Sequence, residues 1–213
     1  TTESSPTNAS DFIVTTSFNE VVEGLELSDY VVTNGQVTDL QKDVSDESLY
    51  TVKVTPEGDG LVSISLPSSK VLDSAGNDND GSNTLAVTIN RSAITTNITT
   101  QESSPTNKSR VEVAIEFSEV VTGFEAEDIV VTNGTKENFA GSGTSYTVDV
   151  LPSDDGSVRV DVAGNAAQNN AGTGNSKAAQ LIIKSDKTGP TVALSTTESS
   201  PTNASDFIVT TSF

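Results

Sequence analysis

The chain has 213 residues, 30 acidic against 11 basic side chains, a formal net charge of −19, and no Cys, His, Met or Trp. That inventory excludes a disulfide, a thiolate or imidazole nucleophile, and any Cys- or His-ligated zinc. So acidic a surface argues against nucleic acid as a partner, because phosphate contacts need a basic face. It leaves hard cations with oxygen ligands as the open metal chemistry.

Hydrophobic residues make up 33% of the chain, but they sit in short runs, none long enough to span a membrane. Taken in chain order, Phe12, Val14, Thr16 and Phe18 alternate along one face of a first strand. Further runs rich in Val, Ile, Thr and Tyr follow at Tyr30–Thr33, Leu49–Thr55, Leu61–Leu66 and Thr84–Ile89. Turn signals separate them at Asn34-Gly35, Pro56 to Gly60 and Asp73 to Gly81. In Val111–Phe117 the large apolar residues again take every other position. Period two places successive side chains on opposite faces of a half-buried strand. No stretch carries a capped 3.6-residue apolar stripe, so the fold is expected to be all-β, built from antiparallel sandwiches.

Internal repetition sets the organisation. Residues 1–18 recur unchanged at 196–213, a shift of 195, and a weaker copy lies between them at 101–117. Pro6, Pro105 and Pro201 mark the same point in each. Phe18-Asn19-Glu20-Val21-Val22 matches Phe117-Ser118-Glu119-Val120-Val121, and Asp29–Gly35 matches Asp128–Gly134. Tyr50-Thr51-Val52 matches Tyr146-Thr147-Val148 at a shift of 96, so three residues are missing from a loop of the second copy. The expected division is domain 1 over 1–90 with its first strand missing, domain 2 over 91–186, and a linker with the first strands of a third repeat over 187–213. The identity of pieces 195 residues apart makes a pair of domains the natural period of a longer array.

These ordered motifs, together with the Asp73–Asn77 loop and the linker Ser185–Pro190, resemble bacterial Ig-like domains. The resemblance implies tandem sandwiches of about 97 residues, of the kind that extend large bacterial adhesins or surface filaments outward from the cell. It therefore implies an extracellular, cell-surface setting and a structural, non-enzymatic role. A carbohydrate- or surface-binding sandwich is the alternative, although the Thr residues do not repeat at a fixed short spacing. The partners expected are neighbouring repeats of the same protein, with no nucleic acid and no membrane insertion. Asp206–Phe213 reads as a single strand without a sandwich around it, and so as a candidate for head-to-tail association with another copy.

The only plausible chemistry is cation binding, and the resemblance points to calcium at interdomain junctions. An up-and-down trace of strands brings Glu20, Asp29, Asp73 and Asn77 to the end where a preceding linker carrying Asp186 enters. Carboxylates converging there without a basic residue repel unless a cation joins them. In the second copy Asp186 corresponds to Asn90, Asp73 to Asn169 and Asn77 to Thr173, while Glu119 and Asp128 remain. Junctions are thus expected to alternate: the one led by Asp186 takes calcium, and the one led by Asn90 takes it weakly or not at all.

Overall fold

A computed structural model describes residues 1–213. Its first half runs β1 (Phe12–Ser17), β2 (Val22–Glu23), a 3₁₀ turn (Leu27–Asp29), β3 (Val31–Thr33), β4 (Gly35–Lys42), β5 (Leu49–Pro56), β6 (Gly60–Ser65), β7 (Leu72–Asp73) and β8 (Leu85–Ile89). Two antiparallel sheets result, β1-β5-β4 and β3-β6-β8, with the short pair β2-β7 at one end. Consecutive strands mostly change sheet, so the chain wraps a core instead of meandering along one layer. The alternation read from the sequence holds in β5, where Tyr50, Val52, Val54 and Pro56 are buried and the residues between them are not. Along β1, Phe12 and Val14 are buried while Thr16 and Phe18 are only half-buried.

The second half repeats the plan with β9 (Thr96–Thr99), β10 (Val111–Val121), a 3₁₀ turn (Ala126–Asp128), β11 (Ile129–Thr132), β12 (Gly134–Pro152), β13 (Gly156–Val162) and β14 (Leu181–Ser185). Its sheets are β12-β10-β9 and β11-β13-β14. The region of β12 corresponds to both β4 and β5, folded back through Gly141 and Gly143, which have φ of +128° and +68°. A Cβ on Gly141 would stand 2.3 Å from the Ser145 carbonyl oxygen, so only glycine fits this shortened turn. The three residues missing from the second copy are absorbed here.

The two cores differ in size for an identifiable reason. Domain 2 buries one cluster of 18 hydrophobic residues; domain 1 has clusters of 10 and 3. Strand β9 supplies Ile98, and the segment before it supplies Ile94, which is 0% exposed. Domain 1 has no such strand beside β1. Domain 2 also gathers Phe117, Phe124, Phe139 and Tyr146 into one set of edge-on and stacked rings, where domain 1 has only the Phe18–Tyr50 pair at 5.9 Å. Before each first core strand, the chain is laced to the last strand of its own sandwich: Thr7 N–H donates to Thr88 O and Thr106 N–H to Lys184 O, both at 2.9 Å.

Beyond Ser185 the chain forms β15 (Ala193–Thr196) and β16 (Val209–Ser212), which pair with each other and with nothing else. The single strand expected at Asp206–Phe213 is therefore corrected: its second half has a partner, because the preceding linker carries a strand of its own. All eight residues of the pair are exposed. No helix is long and apolar enough to cross a membrane.

Ile115, fully buried in β10, gives a direct check on the core. Ile115→Ala is expected to destabilise domain 2 by about 2–5 kcal/mol and to leave the unfolding of domain 1 in place. Two-transition denaturant melts measure both, and a shift in both transitions alike would show that the sandwiches do not hold separate cores.

Candidate functional site

The feature with the most built geometry is the junction between the two sandwiches. Asn90 leaves β8 with its N–H donating to Thr7 O at 3.0 Å, which fixes the start of the linker on domain 1. Its side-chain amide then reaches across to domain 2, donating to Glu119 Oε2 at 3.1 Å. The same oxygen accepts a second amide hydrogen from Asn169 at 3.0 Å. Thr173 closes the arrangement from the far side of its loop, its hydroxyl donating to the Asn90 carbonyl at 2.7 Å. Asn8 of domain 1 stands over Gly172, whose Cβ position lies 3.7 Å from the Asn8 side chain.

The local chain explains why these groups point as they do. Asn169 is 6% exposed and folds its own loop, its Oδ1 accepting the N–H groups of Ala171 and Thr173, each at 3.0 Å. Its Nδ2 is then left with one direction, toward Glu119. A carboxylate accepting two amide donors is a charge-assisted contact, stronger than a neutral pair. The Glu119 charge is thus met by neutral donors.

Domain 1 carries the corresponding loop with different chemistry. Asp73 Oδ1 accepts the N–H groups of Ala75 and Asn77, each at 2.8 Å, and Oδ2 accepts the Asn77 side-chain amide at 2.8 Å. These donors, the Asn77 side chain first and its backbone next, hold the Asp73 carboxyl below the usual carboxylate range. The loop is the one Asn169 makes, but where Asn169 offers an amide donor Asp73 has a second acceptor oxygen, here taken by the Asn77 amide. Glu20, Asp73 and Asn77 line one cleft of about 530 Å³.

Asp29 does not join them. Its carboxylate accepts the Glu26 N–H at 2.8 Å in a capping box for the 3₁₀ turn, and Lys70 Nζ stands 4.0 Å away. Asp128 does the same for the second turn, accepting the Glu125 N–H at 2.8 Å. Asp186 lies at the far end of domain 2, its N–H bonded to Thr106 O at 2.9 Å. No three carboxylates anywhere in the chain lie close enough to hold a metal ion. Glu20, Asp73 and Asn77 share the lining of one cleft, and Asp186 belongs to a different repeat.

A pair of linker latches escaped the sequence reading. In the β5–β6 turn, Asp59 accepts the Ser92 hydroxyl at 2.8 Å and the Arg91 N–H at 3.0 Å, and the Arg91 guanidinium donates to Ala9 O at 2.8 Å. In the β12–β13 turn, Asp155 accepts the Lys187 N–H at 2.6 Å and also the Thr188 hydroxyl, and Lys187 Nζ donates to Pro152 O at 2.7 Å. Both carboxyls are held below the usual range, by the hydroxyl first and the backbone N–H next. The signal available was the equivalence of Asp59 and Asp155 at a shift of 96, each followed 32 residues later by a basic residue.

The model of the bacterial Ig-like domain family matches residues 1–89 and again residues 90–183. Among solved structures, InvD of Yersinia pseudotuberculosis is 13% identical with a TM-score of 0.36, covering 95% of this chain and 63% of that one. Invasin, described as a bacterial integrin-binding protein, is 10% identical with a TM-score of 0.36, covering 92% of this chain and 41% of that one. The D00–D0 domain of intimin is 11% identical with a TM-score of 0.33, covering 84% of this chain and 94% of that one. This chain therefore spans less than two thirds of the length of InvD and of invasin. No curated protein sequence matches it.

The latches set a pH dependence. A carboxyl whose folded pKa is depressed contributes stability that is whole above its unfolded pKa, about 3.9 for Asp, and is lost as pH falls through the lower folded value. Acidification below about pH 4 is expected to free Arg91 and Ser92 from Asp59 while the cores persist. Amide exchange at Arg91 measures this once each rate is divided by the intrinsic rate at its own pH: a smaller protection factor at low pH is expected, and Asp59→Asn should lessen the pH step. An Arg91 amide equally protected at pH 7 and pH 2.5 would contradict the latch.

Proposed function

We propose that this chain, which belongs to the bacterial Ig-like domain family through two tandem matches, is a spacer segment of a bacterial cell-surface adhesin or filament, lengthening and stiffening it outside the cell. The observation that carries this reading is the junction itself. A flexible tether needs no contacts between its beads, yet here Asn90 bonds to both Glu119 and Thr173 across the boundary. Each sandwich adds roughly 30–40 Å, since strands of about ten residues rise about 3.3 Å per residue. The net charge of −19 keeps neighbouring segments apart in solution.

The reading extends to ions. At the junction that joins Asp186 to a following repeat with the sequence of domain 1, the partners would be Glu20, Asp73 and Asn77. Replacing Asn169 by its counterpart Asp73 exchanges an amide donor for an acceptor, and replacing Asn90 by Asp186 does the same. Glu20 then has no donor, and three carboxylates face one another. Calcium, which takes six to eight oxygens including carboxylates and amide carbonyls, supplies the charge that joins them. Asp186, Glu20, Asp73 and Asn77 are the residues that would hold the ion, which would supply the positive charge these carboxylates lack.

Both halves of the proposal are open to direct test. Glu119→Ala removes the shared acceptor, and small-angle scattering is expected to show a broader distribution of interdomain distances than the parent chain, with both domains still folded. An unchanged distribution would mean that the bonds do not stiffen the boundary. Converting the first junction to the acidic kind with Asn90→Asp, Asn169→Asp and Thr173→Asn is expected to create calcium uptake, seen by calorimetry as one added site per chain. Equal uptake by parent and variant would end the ionic reading and leave the spacer reading standing.

A further inference from the structure

We propose that residues Pro190–Ser195 of one molecule dock as an edge strand on β1 of a second molecule, completing its first sandwich. Three independent features meet at that edge. Strand β1 has β5 on one side and nothing on the other, while its counterpart β10 is flanked by both β12 and β9. Along the open edge run two clefts of about 530 and 230 Å³, which share Thr16, Ser17, Leu66 and Ser82. The N–H groups of Asn19 and Asp80, which border the larger cleft, make no hydrogen bond within the chain.

Domain 2 shows what fills this space. There Ser118 N–H, equivalent to that of Asn19, donates to Thr95 O at 3.0 Å, and Ser176 N–H, equivalent to that of Asp80, donates to Ile94 O at 2.7 Å. A shift of 96 carries Ile94 to Pro190, Thr95 to Thr191 and Ile98 to Leu194. Ile94 contributes only its carbonyl to these bonds, so a proline, which lacks the N–H, serves as well.

The register is already written in the chain. Strand β15 pairs with β16 as Ser195↔Thr210, Leu194↔Thr211 and Ala193↔Ser212. Those are the pairings Thr99↔Ala114, Ile98↔Ile115 and Asn97↔Glu116 of domain 2. Since β16 repeats Val14–Ser17 of β1 without a change, the same residues meet when β15 lies on β1. The two hosts differ in what lies beneath. On β16, Leu194 is 71% exposed; its counterpart Ile98, set on a complete sandwich, is 7% exposed. On β1, Leu194 would enter the smaller cleft against Val14, Tyr30, Ile64 and Leu85, so burial favours β1 over β16. The docked strand ends at Ser195, where the sequence reaches its copy of Thr1, and the rest of the donor peels away. In a chain carrying a further copy of the unit ahead of Thr1, the same strand arrives in cis.

Sedimentation of the 213-residue chain in EDTA tests this apart from any ionic effect. The expected result is mass that grows with concentration, and its loss in Leu194→Asp, with both sandwiches unfolding as in the parent at concentrations where the parent is monomeric. Because the chain has no cysteine, Thr15→Cys and Ser195→Cys give two singly labelled species. Mixed and joined with a short bis-maleimide, they are expected to yield mainly the mixed dimer. A parent chain that stays monomeric at every concentration, association that survives Leu194→Asp, or a statistical mixture of linked dimers would each overturn the proposal.

Discussion

One carboxylate oxygen holds two domains together. Glu119 Oε2 takes an amide hydrogen from Asn90, which ends domain 1, and another from Asn169, which belongs to domain 2. The contact works because each amide is fixed before it arrives, Asn90 by the Ser92 N–H that its Oδ1 accepts and Asn169 by its own loop. Donors held in place lose little freedom on bonding. Around that oxygen the Thr173 hydroxyl and the Asp59 latch restrain the linker from two further sides. On the spacer reading proposed above, bonds of this kind are what would resist bending at the boundary.

The corresponding positions of domain 1 carry acids in place of amides. Asp73 keeps the loop of Asn169, with both its oxygens accepting within that loop, and it lines the cleft that Glu20 also lines. On the ionic reading proposed above, two kinds of junction would alternate along an array whose repeating unit is the pair of domains, in keeping with the identity of residues 1–18 and 196–213. A further consequence concerns where a unit begins. The strand beside β10 comes from the segment after the linker, and Ile94 and Ile98 anchor it in the core, so linker and first strand form one continuous fitting between units.

Strand positions were legible because period-two alternation is strong in β5 and β10, where buried apolar residues alternate with less buried ones. Strand β4 was not, since Gly35–Lys42 buries none of its residues and shows no apolar face. The junction residues Asn90, Glu119, Asn169 and Thr173 were visible through comparison of two unequal copies, which no single copy allows. Asp29 misled because a capping carboxylate and an ion ligand look alike in sequence; only the Glu26 N–H and Lys70 beside it tell them apart. Asp59 and Asp155 were missed because a turn aspartate ordinarily bonds its own loop, whereas these reach 32 residues ahead in the chain.

Residual dipolar couplings measured on the 213-residue chain without added metal bear most directly on the bonded boundary. If Glu119 and its two amides fix the sandwiches to each other, one alignment tensor fits the couplings of residues 12–89 and 96–185 together. Two tensors of unequal magnitude would mean that the domains reorient independently, and that the bonds across Asn90 do not set their geometry in solution.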